Sequence, residues 1–154
     1  MSELDAETAQ NLAERVVDAM MAADAFSRWL GIRVLAVRPR EATVAMMVRD
    51  EMVNGFGVSH GAIVYALADS ALAFASNTHG RITVSIENSI TYPHAVHVGD
   101  ELVANALEEG ASNRLGYYRV TVTRKDGTVV GLFRGTVYKT KRDFFSRSVA
   151  ASEE

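Results

Sequence analysis

The 154-residue sequence predicts an α+β fold in which an antiparallel β-sheet wraps around one long central helix. Three observations predict it. Residues 62–77 are apolar on nearly every face, as a helix buried all round must be. A pair of β-like stretches precedes that helix, and four more follow it with no second helix between them. No repeat, low-complexity run or linker divides the chain, and its length suits a single domain with its own core.

Taken in order, Leu12 to Ala25 sets Leu12, Val16, Ala19 or Met20, and Ala23 at helical spacing, with Glu14, Arg15 and Asp18 opposite. Residues 1–25 are therefore expected to carry an amphipathic helix lying on a larger body. Gly31 closes a short connection, after which Ile32–Val37 and Ala42–Val48 read as strands turned at Pro39-Arg40-Glu41. Residues 53–61, Val-Asn-Gly-Phe-Gly-Val-Ser-His-Gly, form a glycine-punctuated loop that leads into the central helix, Ala62 to Asn77. Four strands are expected at Ile82–Tyr92, Glu101–Leu107, Leu115–Thr123 and Thr128–Tyr138. Lys125-Asp126-Gly127-Thr128 is a tight-hairpin signal, because Asp-Gly tolerates the positive φ such turns require. The main domain is expected at 26–140, followed by a tail, 141–154, that is polar apart from Phe144-Phe145.

Composition narrows the chemistry. With no cysteine, thiol catalysis, disulfides and thiolate zinc sites are excluded. A net charge of −3 offers nucleic acid no basic face, so no nucleic-acid partner is expected. The acidic start, Met1 to Glu7, is unlike a signal peptide, and no stretch approaches the ~20 apolar residues that span a bilayer. A cytoplasmic protein without a membrane partner is expected. His94 and His97 lack a third ligand, so no metal is expected there.

Asp69 is the sharpest anomaly, the single charge in the apolar helix. Taking a carboxylate out of water costs several kcal/mol unless it is paired. Either neighbouring groups bond it, or it lines a mostly apolar pocket where desolvation raises its pKa towards a general base's range. His60-Gly61 stands at the helix start, where backbone N–H groups lack internal partners and can stabilise an oxyanion. Gly61 either donates in this way or eases a tight junction, and His60 either caps the helix or takes part in chemistry. Eight residues separate Gly61 from Asp69, about 12 Å along a helix at ~1.5 Å per residue. Both cannot serve one carbonyl from one helix, so a shared site requires a two-fold dimer.

Asn54-Gly55, Gly57, His60-Gly61, Leu67-Ala68-Asp69 and Ala73-Phe74-Ala75 together resemble the hotdog-fold acyl-CoA thioesterases, most closely the phenylacetate-degradation (PaaI) branch. The resemblance runs from about Phe26 to Tyr138 and includes Leu30-Gly31-Ile32, Gly99-Asp100 and Leu132-Phe133-Arg134-Gly135. It implies a hotdog fold and hydrolysis of an acyl-CoA, with an aryl or arylacetyl thioester such as phenylacetyl-CoA expected. Asp69 would be nucleophile or general base, and the Gly61 N–H the polariser of the thioester carbonyl. Asn54 would orient the attacking water or the Asp69 carboxylate, with its alternative a plain Asn-Gly turn. Ser85 falls where relatives place a water-positioning hydroxyl. Arg114, Lys139, Lys141 and Arg142 are candidates for a cationic rim that meets the CoA phosphates. No cofactor is implied, and a homodimer, pairing further into a homotetramer, is expected. The chain departs from the family with Ala62 after His-Gly and Phe56 where a polar residue is common; Asn77 fits the branch or caps the helix. Hydratases and acyl-CoA sensors share the fold, and release of free thiol separates hydrolysis from both.

Overall fold

The computed structural model of the chain describes residues 2–146. In chain order it comprises α1 (Glu3–Ala23), α2 (Ala25–Leu30), β1 (Arg33–Arg38), β2 (Glu41–Met47), a short 3₁₀ turn (Asp50–Met52), α3 (Gly61–Asn77), β3 (Arg81–Thr91), β4 (Glu101–Ala111), β5 (Leu115–Arg124) and β6 (Val129–Asp143). The six strands form one sheet of order β1-β2-β4-β5-β6-β3, and every neighbouring pair is antiparallel. The sheet curls around α3, as the α+β expectation requires. Leu67, Ala68, Ala71, Leu72, Phe74 and Ala75 of the helix are fully buried against Val44, Met46, Ala104, Val120 and Phe133 of the strands.

The elements differ from the sequence expectation at four points, the simplest being β4, which runs past the expected Leu107 to Ala111. Helix α1 begins at Glu3, not Leu12, because Ser2 and Asp5 form a reciprocal capping box that starts it early. Its buried stripe is Ala13, Val16 and Val17, one position on from Leu12, and Ala23 is exposed. Helix α2 went unpredicted, since six residues are too few to show a period; Asp24 caps it and Gly31 ends it at φ 77°. The expected tail from Lys141 starts inside β6, where Arg81 pairs with Asp143. Its residues from 147 onward lie outside the described residues. Among the described residues no helix is long and apolar enough to cross a membrane.

Helix α3 is not covered all round. Ala62 is exposed and Tyr65, Ala66, Asp69 and Ala73 are half-buried, a row at helical spacing that the chain's own sheet leaves open. Two polar contacts fix the helix beside this row. The buried Ser27 and Ser70 hydroxyls meet at 3.0 Å and tie α2 to α3. Asn77, also buried, donates from Nδ2 to the Thr83 carbonyl at 3.0 Å and accepts at Oδ1 from the Thr83 N–H at 2.9 Å. Asn77 is thus a clamp between α3 and β3 more than a helix cap. It sets where β3 begins, and so where the side chains further along β3 reach α3.

Candidate active site

The first turn of α3 has several backbone donors to satisfy. His60 is the N-cap, and its ring Nδ1 accepts from the Ala62 N–H at 3.0 Å. The Ile63 N–H bonds to the His60 carbonyl at 2.9 Å, and the His60 N–H to the Met52 carbonyl at 2.8 Å. Among the described residues, the Gly61 N–H is left without an acceptor, at the positive end of the helix dipole. The Tyr92 hydroxyl donates to the Gly61 carbonyl at 3.0 Å. Its ring stands so close that a Cβ at position 61 would lie 3.2 Å from Tyr92 Cζ. Burial pushes the Tyr92 phenol up, with the nearby Tyr65 adding to it, which keeps the hydroxyl a donor. A cavity of about 250 Å³ opens here, lined by Val58, Gly61, Val64, Tyr92 and Val96 among others.

Asp69 lies on the open row of α3, two turns along from Gly61. Burial raises its pKa, against a hydrogen bond from Asn88 that lowers it. Asn88 Nδ2 donates to Asp69 Oδ1 at 3.0 Å, while Asn88 Oδ1 accepts from the Ser85 hydroxyl at 2.8 Å. Residues three apart on a regular strand face opposite ways, so Ser85 and Asn88 should not meet. They do because β3 carries a bulge between Ser85 and Glu87 in its pairing with β6. Opposite Asn88 on β6 is Gly135, where a Cβ would lie 2.8 Å from Asn88 Oδ1 and 2.5 Å from Leu72 Cδ2.

Three residues of this arrangement received no site role from the sequence: Asn88, Tyr92 and Gly135, the last present only as part of the Leu132-Phe133-Arg134-Gly135 run. The polar Asn88 in the run Ser85 to Thr91 was a signal, but the bulge that turns it inward leaves no mark in an alternation pattern. Asn54 sits in the loop before α3, where its Oδ1 accepts from the Phe56 N–H at 2.9 Å and its own N–H bonds to the Val58 carbonyl at 2.8 Å. It shapes the turn that carries the almost fully exposed Phe56, and no hydrogen bond joins it to Asp69 within the chain. Arg114 and Lys139 come together at the β4–β5 turn: Arg114 Nη1 contacts the Tyr138 hydroxyl at 3.4 Å and Lys139 Nζ reaches the Ser112 carbonyl at 3.3 Å. Lys141 and Arg142 continue along β6 and are exposed. Tyr138 follows the Val137 that pairs with Ser85, so these cations collect at the Ser85 end of β3. His94 Nδ1 lies 2.9 Å from the Val129 carbonyl, and the His97 N–H bonds to Asp100 at 2.8 Å. Among the described residues no three His, Asp or Glu side chains converge on a metal position.

A free helix-terminal N–H and a half-buried carboxylate suit acyl transfer, and the known proteins that the chain resembles include a putative esterase and an acyl-CoA thioesterase. The family described as Thioesterase superfamily matches residues 56–131. A protein of Archaeoglobus fulgidus, named "Putative esterase", is 39% identical over 133 residues, 86% of each chain. Acyl-coenzyme A thioesterase PaaI of Escherichia coli is 31% identical over 121 residues, 79% of this chain and 86% of that protein. The solved structure of the E. coli PaaI protein from the phenylacetic acid degradation operon superposes with a TM-score of 0.85 at 29% identity, covering 87% of this chain and 97% of that one.

Proposed function

The chain belongs to the thioesterase superfamily and is a PaaI-like hotdog acyl-CoA thioesterase, and from that premise we propose that it hydrolyses an aryl- or arylacetyl-CoA at a site shared between two protomers. The observation that carries the mechanism is the pairing of one unpartnered donor, the Gly61 N–H, with one half-buried carboxylate, Asp69. The thioester carbonyl oxygen accepts from the Gly61 N–H of one protomer. Asp69 of the other takes a proton from water as the water oxygen bonds to the carbonyl carbon. The oxyanion is held at Gly61; when it collapses, the C–S bond breaks and the Asp69 carboxyl returns its proton to the thiolate, giving free acid and CoA. Direct attack by Asp69 would use the same carboxylate. Single turnover in isotopically labelled water tests for direct attack: label in Asp69 requires an Asp69–acyl anhydride opened by water at the Asp69 carboxyl carbon.

The dimer follows from distance. Along α3 the two groups are about 12 Å apart at ~1.5 Å per residue, so the protomer that supplies one does not supply the other to the same carbon. The open row on α3 and the outer edge of β3, with Val84 and Ile86 exposed, support that pairing. The outer face of the sheet exposes Leu107, Tyr117 and Leu132, which supports pairing of dimers into a tetramer. The Tyr92 ring in the cavity beside Gly61 supports a flat aromatic acyl group. Arg114, Lys139, Lys141 and Arg142 would meet the CoA phosphates.

The deciding experiment is Asp69→Asn assayed for thiol release on a panel of aryl and aliphatic CoA thioesters. The variant is expected to fold and assemble normally and to lose nearly all hydrolysis. Near-normal turnover would overturn the assignment.

A further inference from the structure

We infer that Asn88 is the positioning residue for the Asp69 carboxylate, which it holds through one oxygen so that the other is left for the reaction, whether it meets the attacking water or the thioester carbon. The inference rests on the function proposed above for Asp69.

Its basis is a directed chain of hydrogen bonds. An ionised Asp69 can only accept, so the Asn88 amide nitrogen faces it and donates to Oδ1 at 3.0 Å. That turns Asn88 Oδ1 towards Ser85, whose hydroxyl donates to it at 2.8 Å. Oδ2 takes no hydrogen bond from the described residues. Having spent its proton on Asn88, the Ser85 oxygen retains only lone pairs, so it can accept from a water but not donate to one.

The backbone is arranged around this amide. The β3 bulge between Ser85 and Glu87 is what brings Ser85 and Asn88 to one face. Across the ladder, Gly135 has no Cβ in the space that Asn88 Oδ1 and Leu72 fill. Bulge, glycine and serine serve the same side chain, which marks Asn88 as built in and not as a chance polar residue on an edge strand. Among the described residues, burial pushes Asp69 up and the Asn88 hydrogen bond draws it down, with no contribution from a charged group.

The test compares wild type with Asn88→Leu, Asn88→Ala, Ser85→Ala and Asp69→Asn, each checked for assembly and melting temperature. Asn88→Leu keeps the branched shape at Cγ and removes the donor. A hydrogen bond to an ionised group predicts a fall in kcat of about tenfold to a hundredfold, with KM little changed. The acid limb of the kcat/KM pH profile should rise by about one unit. Ser85→Ala removes the donor that holds Asn88 Oδ1, loosening the amide, and should move the limb the same way by less. An unmoved limb and unchanged kcat in a folded Asn88→Leu overturn the inference while leaving Asp69 in place, provided Asp69→Asn is inactive. Should Asn88→Leu fail to fold, Asn88→Ala and Ser85→Ala decide by the same limb. An active Asp69→Asn instead overturns the function on which the inference rests.

Discussion

At the scale of single residues, Asp69 was legible because a carboxylate in an otherwise apolar helix needs an explanation. What holds it was not legible: Asn88 is nineteen positions away, and its approach depends on a bulge. The Asp69 environment has a consequence for stability as well as for chemistry. Burial raises the carboxyl above its ordinary value of 3.8, so the folded state holds its proton to higher pH than the unfolded chain does. Stability from this group is present in full below the unfolded value and is lost as pH rises through the raised folded one. At neutral pH the charge therefore works against folding. Asp69→Asn should melt at a higher temperature than wild type at pH 7, and the difference should shrink as pH falls below about 4. Calorimetry across that range checks the sign; a variant less stable at neutral pH would mean the charge is well solvated. For the other two candidates, turn and cap contacts are present within the protomer, Asn54 Oδ1 accepting from the Phe56 N–H and His60 Nδ1 from the Ala62 N–H, and both contacts are compatible with the site roles that the resemblance implies.

At the scale of elements, the long features were readable and the short or irregular ones were not. The central helix, the Asp126-Gly127 hairpin with Gly127 at φ 85°, and the succession of strands along the chain follow from periodicity and turn chemistry, whereas the sheet order, with β3 beyond β6, does not. Helix α2, the early start of α1 and the extension of β6 to Asp143 turn on capping and pairing, which a hydrophobic pattern does not carry. Gly135 belongs to the same class, because its need is set by what crosses over it from α3 and β3. Gly135→Ala would place a Cβ 2.5 Å from Leu72 Cδ2 and 2.8 Å from Asn88 Oδ1. Overpacking of this kind costs about 1–3 kcal/mol, to be read from denaturant unfolding. If the strain is relieved by moving Asn88, hydrolysis should fall further than the loss of folded protein explains. A variant with wild-type stability would show that Leu72 and Asn88 yield freely.

At the scale of the whole molecule, one protomer holds its own core and, on the function proposed above, two half-sites. Helix α3 presents its donor at one end and its carboxylate two turns away, on a row its own sheet leaves open. Whether those halves meet across a two-fold axis can be read from complementation. Gly61→Pro removes the proposed N–H donor at the first helical position, where proline is well tolerated. His60 already has the extended backbone that precedes a proline, with φ −61° and ψ 136°. The side chain it must displace is Tyr92, which is 46% exposed and has room to move. Loss of an oxyanion donor should lower kcat about a hundredfold or more. Asp69→Asn removes the other half, so each pure variant should be nearly inactive. Unfolded together and refolded as a mixture, they form mixed dimers in which one site has an intact Gly61 from one chain and an intact Asp69 from the other. Equal mixing with random pairing makes half of the dimers mixed, with one good site in two, so activity should return to about a quarter of wild type. If donor and carboxylate serve the same carbonyl from within one chain, mixing restores nothing, because every chain carries one lesion.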